Sequence, residues 1–121
     1  MYSQGNVMDY LLIQQQIRKF VRDRDWEQFH SPKNLSMALS IETAEIMEHF
    51  QWKTTEESRC LDNETLNEVK DEIGDVMVYL LRLCDELDID PLQAAKDKMK
   101  KNAEKYPVEK ARGNAKKYNK F

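Results

Sequence analysis

Four acidic residues in the central part of the chain have a spacing that can build a metal site. Glu42 and Glu45 lie three positions apart, and Glu72 and Asp75 repeat that spacing further along the chain. Residues three or four positions apart share one face of a helix, and the first pair continues a face that begins with the apolar Leu35. Carboxylates are rarely buried in an apolar face without a partner, so this placement requires an explanation.

Two neighbouring helices would allow these four carboxylates to converge. Like charges repel strongly in a partly buried space, so either some of the acids are protonated or a cation lies among them. Carboxylate oxygens are hard ligands that favour Mg²⁺ or Mn²⁺ over Zn²⁺, and His30 and His49 form no HExxH motif. An acidic Mg²⁺ site usually serves a phosphorylated substrate. From the pattern alone, the alternative is an ordinary solvated helix face with intrahelical ion pairs.

Helices are the elements that must position these acids, because the sequence has only 3 Gly and 3 Pro and therefore few sharp turns. Apolar residues recur at helical spacing and predict helices at about residues 9–24, 33–50, 64–87 and 91–106. Asp90 followed by Pro91 is typical of a helix start. Residues 107–121 are predicted to form an extended or loosely ordered basic tail. We therefore expect an all-α, four-helix unit, with residues 1–121 forming one domain whose helical core is at about 9–106.

The predicted connection between the first two helices, residues 25–33, contains an unusual group of rings. It carries Trp26, Phe29 and His30 before Pro32. Large aromatic residues are uncommon in loops, so these side chains either pack on the bundle or line a site. Phe29 is expected in the core, whereas both alternatives stay open for the other two.

Composition excludes several classes of protein. The 121 residues include 34% charged and 40% apolar residues, and the net charge is −3. This balance disfavours a nucleic-acid partner, which usually requires a positive excess. No apolar run approaches the roughly 20 residues that cross a membrane. Cys60 and Cys84 match no zinc or redox spacing, so a reducing, cytoplasmic setting is expected, with Cys84 buried as a small apolar residue.

At these residues the chain resembles the all-α, MazG-like nucleoside triphosphate pyrophosphohydrolases. Their mark is ExxE on one helix and ExxD on the next, which here are Glu42–Glu45 and Glu72–Asp75. Further segments are similar to the dCTP pyrophosphatase branch of that family, namely residues 24–30, 32–35, 50–53, 79–81 and 98–99, with Asn102, Tyr106 and Pro107. The likeness extends over roughly residues 9 to 118.

The resemblance implies a Mg²⁺-dependent enzyme, with Mn²⁺ as a substitute ion, that hydrolyses a nucleoside triphosphate to monophosphate and pyrophosphate. It implies dCTP and 5-modified dCTP as substrates. A helical unit this small is also expected to assemble as a homodimer or homotetramer (a dimer of dimers), with sites between subunits. The acids Glu42, Glu45, Glu72 and Asp75 would hold the ion. The residues that resemble the family's base and sugar contacts are Trp26, His30, Trp52, Tyr79 and Asn102. Lys98 would meet phosphate oxygens, and the tail residues Lys116 and Lys117 are further candidates.

Other interpretations stay open for the function. A broad-specificity pyrophosphatase would share the metal site and lack the cytosine preference. A nucleotide sensor would bind with Mg²⁺ and release its ligand intact, and a helical interaction module would show no metal dependence. Each aromatic candidate also has a purely structural alternative as a packing residue.

Overall fold

The computed structural model describes residues 9–121, and over that range it contains helices, turns and irregular segments without a strand. In chain order, the α-helices are α1 (Tyr10–Asp23), α2 (Pro32–Glu48), α3 (Thr55–Ser58), α4 (Asn63–Glu86), α5 (Pro91–Lys105) and α6 (Val108–Ala111). Single 3₁₀ turns lie at Glu27–Phe29 and Tyr118–Lys120. The all-α prediction is confirmed, and α1, α2, α4 and α5 correspond to the four predicted helices.

Polar side chains fix where the long helices begin. At each start, a side-chain oxygen accepts a hydrogen bond from a backbone N–H of the first turn, and these residues are Asp9, Ser31, Asp62 and Asp90. Pro32 and Pro91 occupy the first position of their helices, where a missing N–H costs nothing. Loss of one such cap typically costs about 1 kcal/mol. The cap at Ser31 explains why α2 begins one residue earlier than the apolar spacing predicts.

Residues 9–88 and 89–121 belong to two compact units. In the first unit, α4 packs along α2 and, over a smaller area, against α1. The core cluster joins Ile17 and Val21 of α1 to Leu81 of α4, while Leu35 of α2 is 1% exposed. Burial of each such side chain contributes roughly 1.5–3 kcal/mol. Cys84 is buried, as predicted.

The apolar side chains of α4 are only partly covered in the structure. Val69 and Leu81 are buried, whereas Leu66, Ile73 and Met77 are each nearly half exposed. These three side chains leave an apolar strip of α4 open to solvent within the described residues. Among those residues, no helix is both long and apolar enough to cross a membrane.

The C-terminal segment differs from the predicted loose tail. It contains α6 and the turn at Tyr118–Lys120, and the rings of Tyr118 and Phe121 lie edge-on to Tyr106 at centroid distances of 6.1 and 5.8 Å. The Lys105 ammonium lies 5.0 Å from the Tyr118 ring centroid. Contacts between aromatic residues so widely spaced in sequence leave no helical periodicity, so the pattern could not reveal this order.

Candidate functional site

Three carboxylates from α2 and α4 meet in the first unit. One oxygen from each of Glu42, Glu45 and Glu72 lies within 4.8 Å of the other two. All three residues are half-buried. The three-residue spacing in α2 places Glu42 and Glu45 on the same face, and the packing of α4 along α2 brings Glu72 to them.

Electrostatics in this cluster are unfavourable for three ionised acids. The pKa of Glu42 is raised to about 7, mainly by burial and then by a hydrogen bond with Glu45 and the neighbouring negative charges. The pKa of Glu72 is also raised, first through its hydrogen bond with Glu45. Both residues have a buried Oε2 without a hydrogen-bond partner in the described residues. Buried carboxylate oxygens without partners are suited to a hard divalent cation, so these residues fit Mg²⁺ or Mn²⁺.

Asp75 lies beside the cluster and is not one of the three converging residues. Its side chain is exposed, and its negative charge contributes to the raised pKa values of Glu42 and Glu72. Asp75 also lines the neighbouring cleft. It therefore stands between the carboxylate cluster and the cleft.

His49 and Glu68 extend the polar cluster along α2 and α4. His49 Nδ1 lies 3.7 Å from a carboxylate oxygen of Glu68, and its Nε2 lies 3.9 Å from Glu72. The positive character of His49 opposes the rise in the pKa of Glu72. The sequence assigns His49 no role, although its position seven residues after Glu42 places it on the same helix face. Glu68 is positioned as an ion-pair partner for this histidine.

A cleft of about 440 Å³ opens between α1, the 3₁₀ turn at Glu27–Phe29 with its flanking residues, and α4. Four of the residues singled out from the sequence line it: Trp26, His30, Asp75 and Tyr79. Apolar side chains from both helices and the polar Gln16 and Arg82 complete the wall, the apolar residues being Ile13, Ile17, Phe20, Val21 and Val78. An apolar cleft with a few polar groups is the usual form of a small-molecule site.

The aromatic rings form a continuous wall on one side of the cleft. Phe20 and Trp26 are arranged edge to face with centroids 5.7 Å apart, and Trp26 and His30 are 6.4 Å apart. Trp26 is 43% exposed, so part of its ring is free to stack on a ligand. Phe29, expected in the core, is 58% exposed and does not line this cleft. That expectation is wrong because the turn at Glu27–Phe29 places Trp26, and not Phe29, against the cleft.

The remaining sequence candidates lie elsewhere. Trp52 follows α2, is 89% exposed and does not line the cleft. Lys98 and Asn102 are on α5, within residues 89–121; Lys98 is exposed and Asn102 is half-buried. Lys116 and Lys117 are exposed in the C-terminal segment.

Sequence reasoning missed Arg82, which is only 7% exposed. Its Nη1 lies 2.8 Å from Glu86 Oε2, whereas its Nε is buried without a hydrogen-bond partner in the described residues. The pKa of His30 is lowered, mainly by burial and then by the charge of Arg82. A charged residue inside the apolar run of α4, two helical turns after Asp75, was the signal that could have identified it.

Comparison with known proteins gives the class to which this fold and cluster belong. The family model described as MazG-like matches residues 37–121. The chain therefore belongs to the MazG-like family.

Individual relatives agree with this assignment. The chain is 40% identical over 102 residues to dCTP pyrophosphatase 1 of Mus musculus and 38% identical to that of Homo sapiens, in each case over 83% of this chain and 60% of the relative. It thus spans only 60% of the length of these relatives. A solved pyrophosphatase structure from Archaeoglobus fulgidus DSM 4304 is similar with a TM-score of 0.74 and 41% identity, covering 84% of this chain and 96% of that one.

Proposed function

We propose that this protein is a Mg²⁺-dependent nucleoside triphosphate pyrophosphohydrolase that releases nucleoside monophosphate and pyrophosphate. The observation that carries the proposal is the convergence of three carboxylates, two of which have a buried oxygen without a hydrogen-bond partner among the described residues. A largely apolar cleft with an aromatic wall lies beside them, and Asp75 is one of its lining residues. The dCTP pyrophosphatase names of the relatives and the similar pyrophosphatase structure support this reaction class.

The acids have the central role in the proposed mechanism. Glu42, Glu45, Glu72 and Asp75 would hold Mg²⁺, with Mn²⁺ as a substitute. When bound, the ion would neutralise phosphate charge and lower the pKa of the attacking water. A carboxylate of the cluster would orient that water and accept its proton. Hydrolysis of the anhydride then gives the two products, with the added oxygen from water in one of them.

The proposed substrates are dCTP and 5-modified dCTP, which makes nucleotide-pool sanitation the cellular role. Trp26, His30 and Tyr79 line the cleft in which the base would lie. Aromatic stacking gives affinity with little choice among bases, so selection requires polar groups that match one base edge. In this proposal Trp52 and Asn102 complete the base and sugar contacts, while Lys98, with Lys116 and Lys117, meets phosphate oxygens.

The proposed assembly is a dimer or a dimer of dimers with shared sites. Met37 and Ile41 of α2 and Ile73 and Met77 of α4 are between 46% and 61% exposed. Exposed apolar side chains on adjoining helices are typical of an interface that a second subunit covers. The highly exposed Trp52 would contribute to a site in the neighbouring subunit.

The proposed setting is the cytoplasm, with neither nucleic acid nor a membrane as partner. Among the described residues, neither Cys60 nor Cys84 takes part in a disulfide, which suits a reducing compartment. The net charge of −3 gives no overall attraction to phosphate backbones. All 121 residues are proposed to act as one functional domain.

The deciding experiment incubates the protein with each standard nucleoside triphosphate and resolves the products by ion-exchange chromatography, with Mg²⁺ and with excess chelator. The proposal expects monophosphate and pyrophosphate with Mg²⁺ and no products with chelator. Release of inorganic phosphate with diphosphate left behind would place the chain in another reaction class. Binding without turnover would instead indicate a sensor, and indifference to both metal and nucleotide would indicate an interaction module.

A further inference from the structure

Arg82 is a buried cation at the wall of the cleft that the acid cluster does not explain. Its side chain is 8% exposed and forms an ion pair with Glu86, one turn further along α4. The Nη1 atom makes this contact, whereas Nε has no hydrogen-bond partner among the described residues and almost no contact with solvent. Buried N–H groups are normally paired, so an unpaired one at a cleft indicates a partner that arrives with a ligand.

The chemistry of the guanidinium limits what that ligand presents. Arginine donates five N–H groups, accepts none and stays charged. Because Nη1 is committed to Glu86, the edge of the planar group that carries Nε and Nη2 is the one left for a ligand. Such an edge matches two adjacent acceptors in one plane. Arg82 therefore favours a ligand edge with two neighbouring acceptor atoms.

The position of Arg82 along α4 indicates which part of a nucleotide it meets. Asp75, beside the carboxylate cluster, lies seven residues earlier on the same face, which corresponds to about 10.5 Å along the helix axis. Tyr79 lies between them, and all three residues line the cleft. Phosphates held near Asp75 would place the base, and not another phosphate, towards Arg82.

We propose that Arg82 is a specificity-determining residue that reads the base by donating from Nε and Nη2 to the adjacent O2 and N3 acceptors of cytosine. This inference rests on the proposed function for the orientation of the nucleotide. Uracil and thymine carry an N3–H donor in place of the N3 acceptor. The two N–H donors of Arg82 would then face one acceptor, O2, and one opposing donor, N3–H. A small movement of the arginine or of the side chains that cover Nε is needed for contact, and pairing with the base then removes the cost of the unpaired donor.

The test compares dCTP with dUTP, since these nucleotides differ in the base edge alone. Tryptophan fluorescence gives binding in chelator, and kcat/KM gives turnover in Mg²⁺. The wild-type protein is expected to prefer dCTP by roughly 5- to 150-fold, the discrimination typical of a bidentate base contact. Arg82→Met should abolish that preference chiefly by weakening dCTP.

Arg82→Lys is the second variant, because lysine keeps the charge opposite Glu86 and lacks the planar fork. It should fold even where Arg82→Met does not, and it should also lose the preference. Glu86→Gln keeps the arginine and should retain the preference within about 3-fold, less than the loss of one bidentate contact.

The possible results separate the two proposals. A preference for dCTP that disappears in the lysine variant supports the assignment, even if no nucleotide is hydrolysed; in that case only the proposed reaction fails. Equal losses for dCTP and dUTP would reduce Arg82 to a structural or phosphate-binding role and overturn the inference. Equal wild-type binding of dCTP and dUTP, or an Arg82-dependent preference for dGTP through its O6 and N7 acceptors, would also overturn it.

Discussion

Arg18 of α1 and Asp85 of α4 are joined by two hydrogen bonds, from Nε and Nη2 of the guanidinium to the two carboxylate oxygens, at 2.6 and 2.5 Å. This pair links the two helices that flank the cleft. The pKa of Asp85 is lowered, first by the hydrogen bond with Arg18 and then by its positive charge, against an opposing effect of burial. The pair therefore makes the folded state sensitive to acid.

We expect Asp85→Asn to reduce the loss of unfolding free energy that acid causes. Because the folded-state pKa lies below the unfolded value, the contribution is present above about pH 4, the ordinary Asp pKa, and disappears as pH falls through the lowered pKa. The effect at neutral pH should be about 1 kcal/mol, since half of the Arg18 side chain is exposed and solvent screens the pair. Urea unfolding between pH 7 and pH 2 measures it. The control is Lys19→Gln, which removes the exposed i,i+4 partner of Asp23. An equal change in the pH dependence of unfolding in this variant would show that the Arg18–Asp85 pair contributes no more than an ordinary surface ion pair.

The carboxylate cluster is expected to support activity while lowering the stability of the metal-free protein. Glu42→Gln, Glu45→Gln, Glu72→Gln and Asp75→Asn should each lower turnover by roughly 100-fold or more, because even supporting groups of metal ligands cost 10- to 100-fold. In the metal-free protein the three glutamine variants should melt at higher temperature than the wild type, since clustered negative charge is reduced.

The melting temperature in the presence of added Mg²⁺ tests whether this cluster binds the ion. Mg²⁺ should raise the melting temperature of the wild type, because an ion that binds only the folded state stabilises it, and should have little effect on the glutamine variants. Glu68→Gln, which alters the partner of His49 outside the three-carboxylate group, is the control. Near-normal turnover in two of the four acid variants would show that the cluster is misassigned.

Stacking on Trp26 is expected to provide affinity for the base. Trp26→Ala should raise KM for dCTP by roughly 5- to 150-fold with little change in kcat, equivalent to the 1–3 kcal/mol of one base–aromatic stack. Phe29→Ala is the matched control, because Phe29 lies in the same turn, is exposed and does not line the cleft. The kinetics should be measured with all four deoxynucleotides. Equal kcat/KM for dGTP and dCTP would contradict the proposed pyrimidine preference, whereas the proposed reaction class would still hold.

Self-association should be visible in solution and should affect the site. Light scattering is expected to give a dimer or tetramer, and Ile41→Glu should shift it towards monomer because the charge would be buried against a second copy. Trp52→Ala should raise KM in the assembled protein and leave Mg²⁺ binding intact. A monomeric wild type with full activity at micromolar concentration would exclude shared sites.

Substitution of alanine for glycine should change the stability of the protein in opposite directions at two positions. Gly74 lies inside α4 with open space where a Cβ would be, so Gly74→Ala should stabilise the protein by up to about 1 kcal/mol through helix propensity. Gly113 also has open space but a φ of +77°, so Gly113→Ala should destabilise by about 1–2 kcal/mol. Urea unfolding of both variants decides the matter. A loss of stability in Gly74→Ala would mean that another subunit packs on this position.

The sequence by itself determined the helices and part of the acid cluster. Helical periodicity is a local property, and capping residues such as Asp62 and Asp90 act on the turn that follows them. The three-residue spacing of Glu42 and Glu45 was enough to place both on one face. The sequence predicts that they meet Glu72 only if the two long helices pack side by side, as α2 and α4 do in the folded chain.

Only the tertiary structure decided which residues share the cleft. The sequence placed Phe29 in the core and left Trp26 open between packing and a site, whereas in the structure Trp26 lines the cleft and Phe29 is exposed outside it. The difference depends on the direction of a single 3₁₀ turn. The burial of Arg82 is likewise decided by the packing of other elements on α4 and not by its neighbours in sequence. The order of the C-terminal segment likewise depends on contacts of Tyr118 and Phe121 with Tyr106. Contacts between residues far apart in sequence leave no period along the chain, and for that reason they become visible only when the chain is folded.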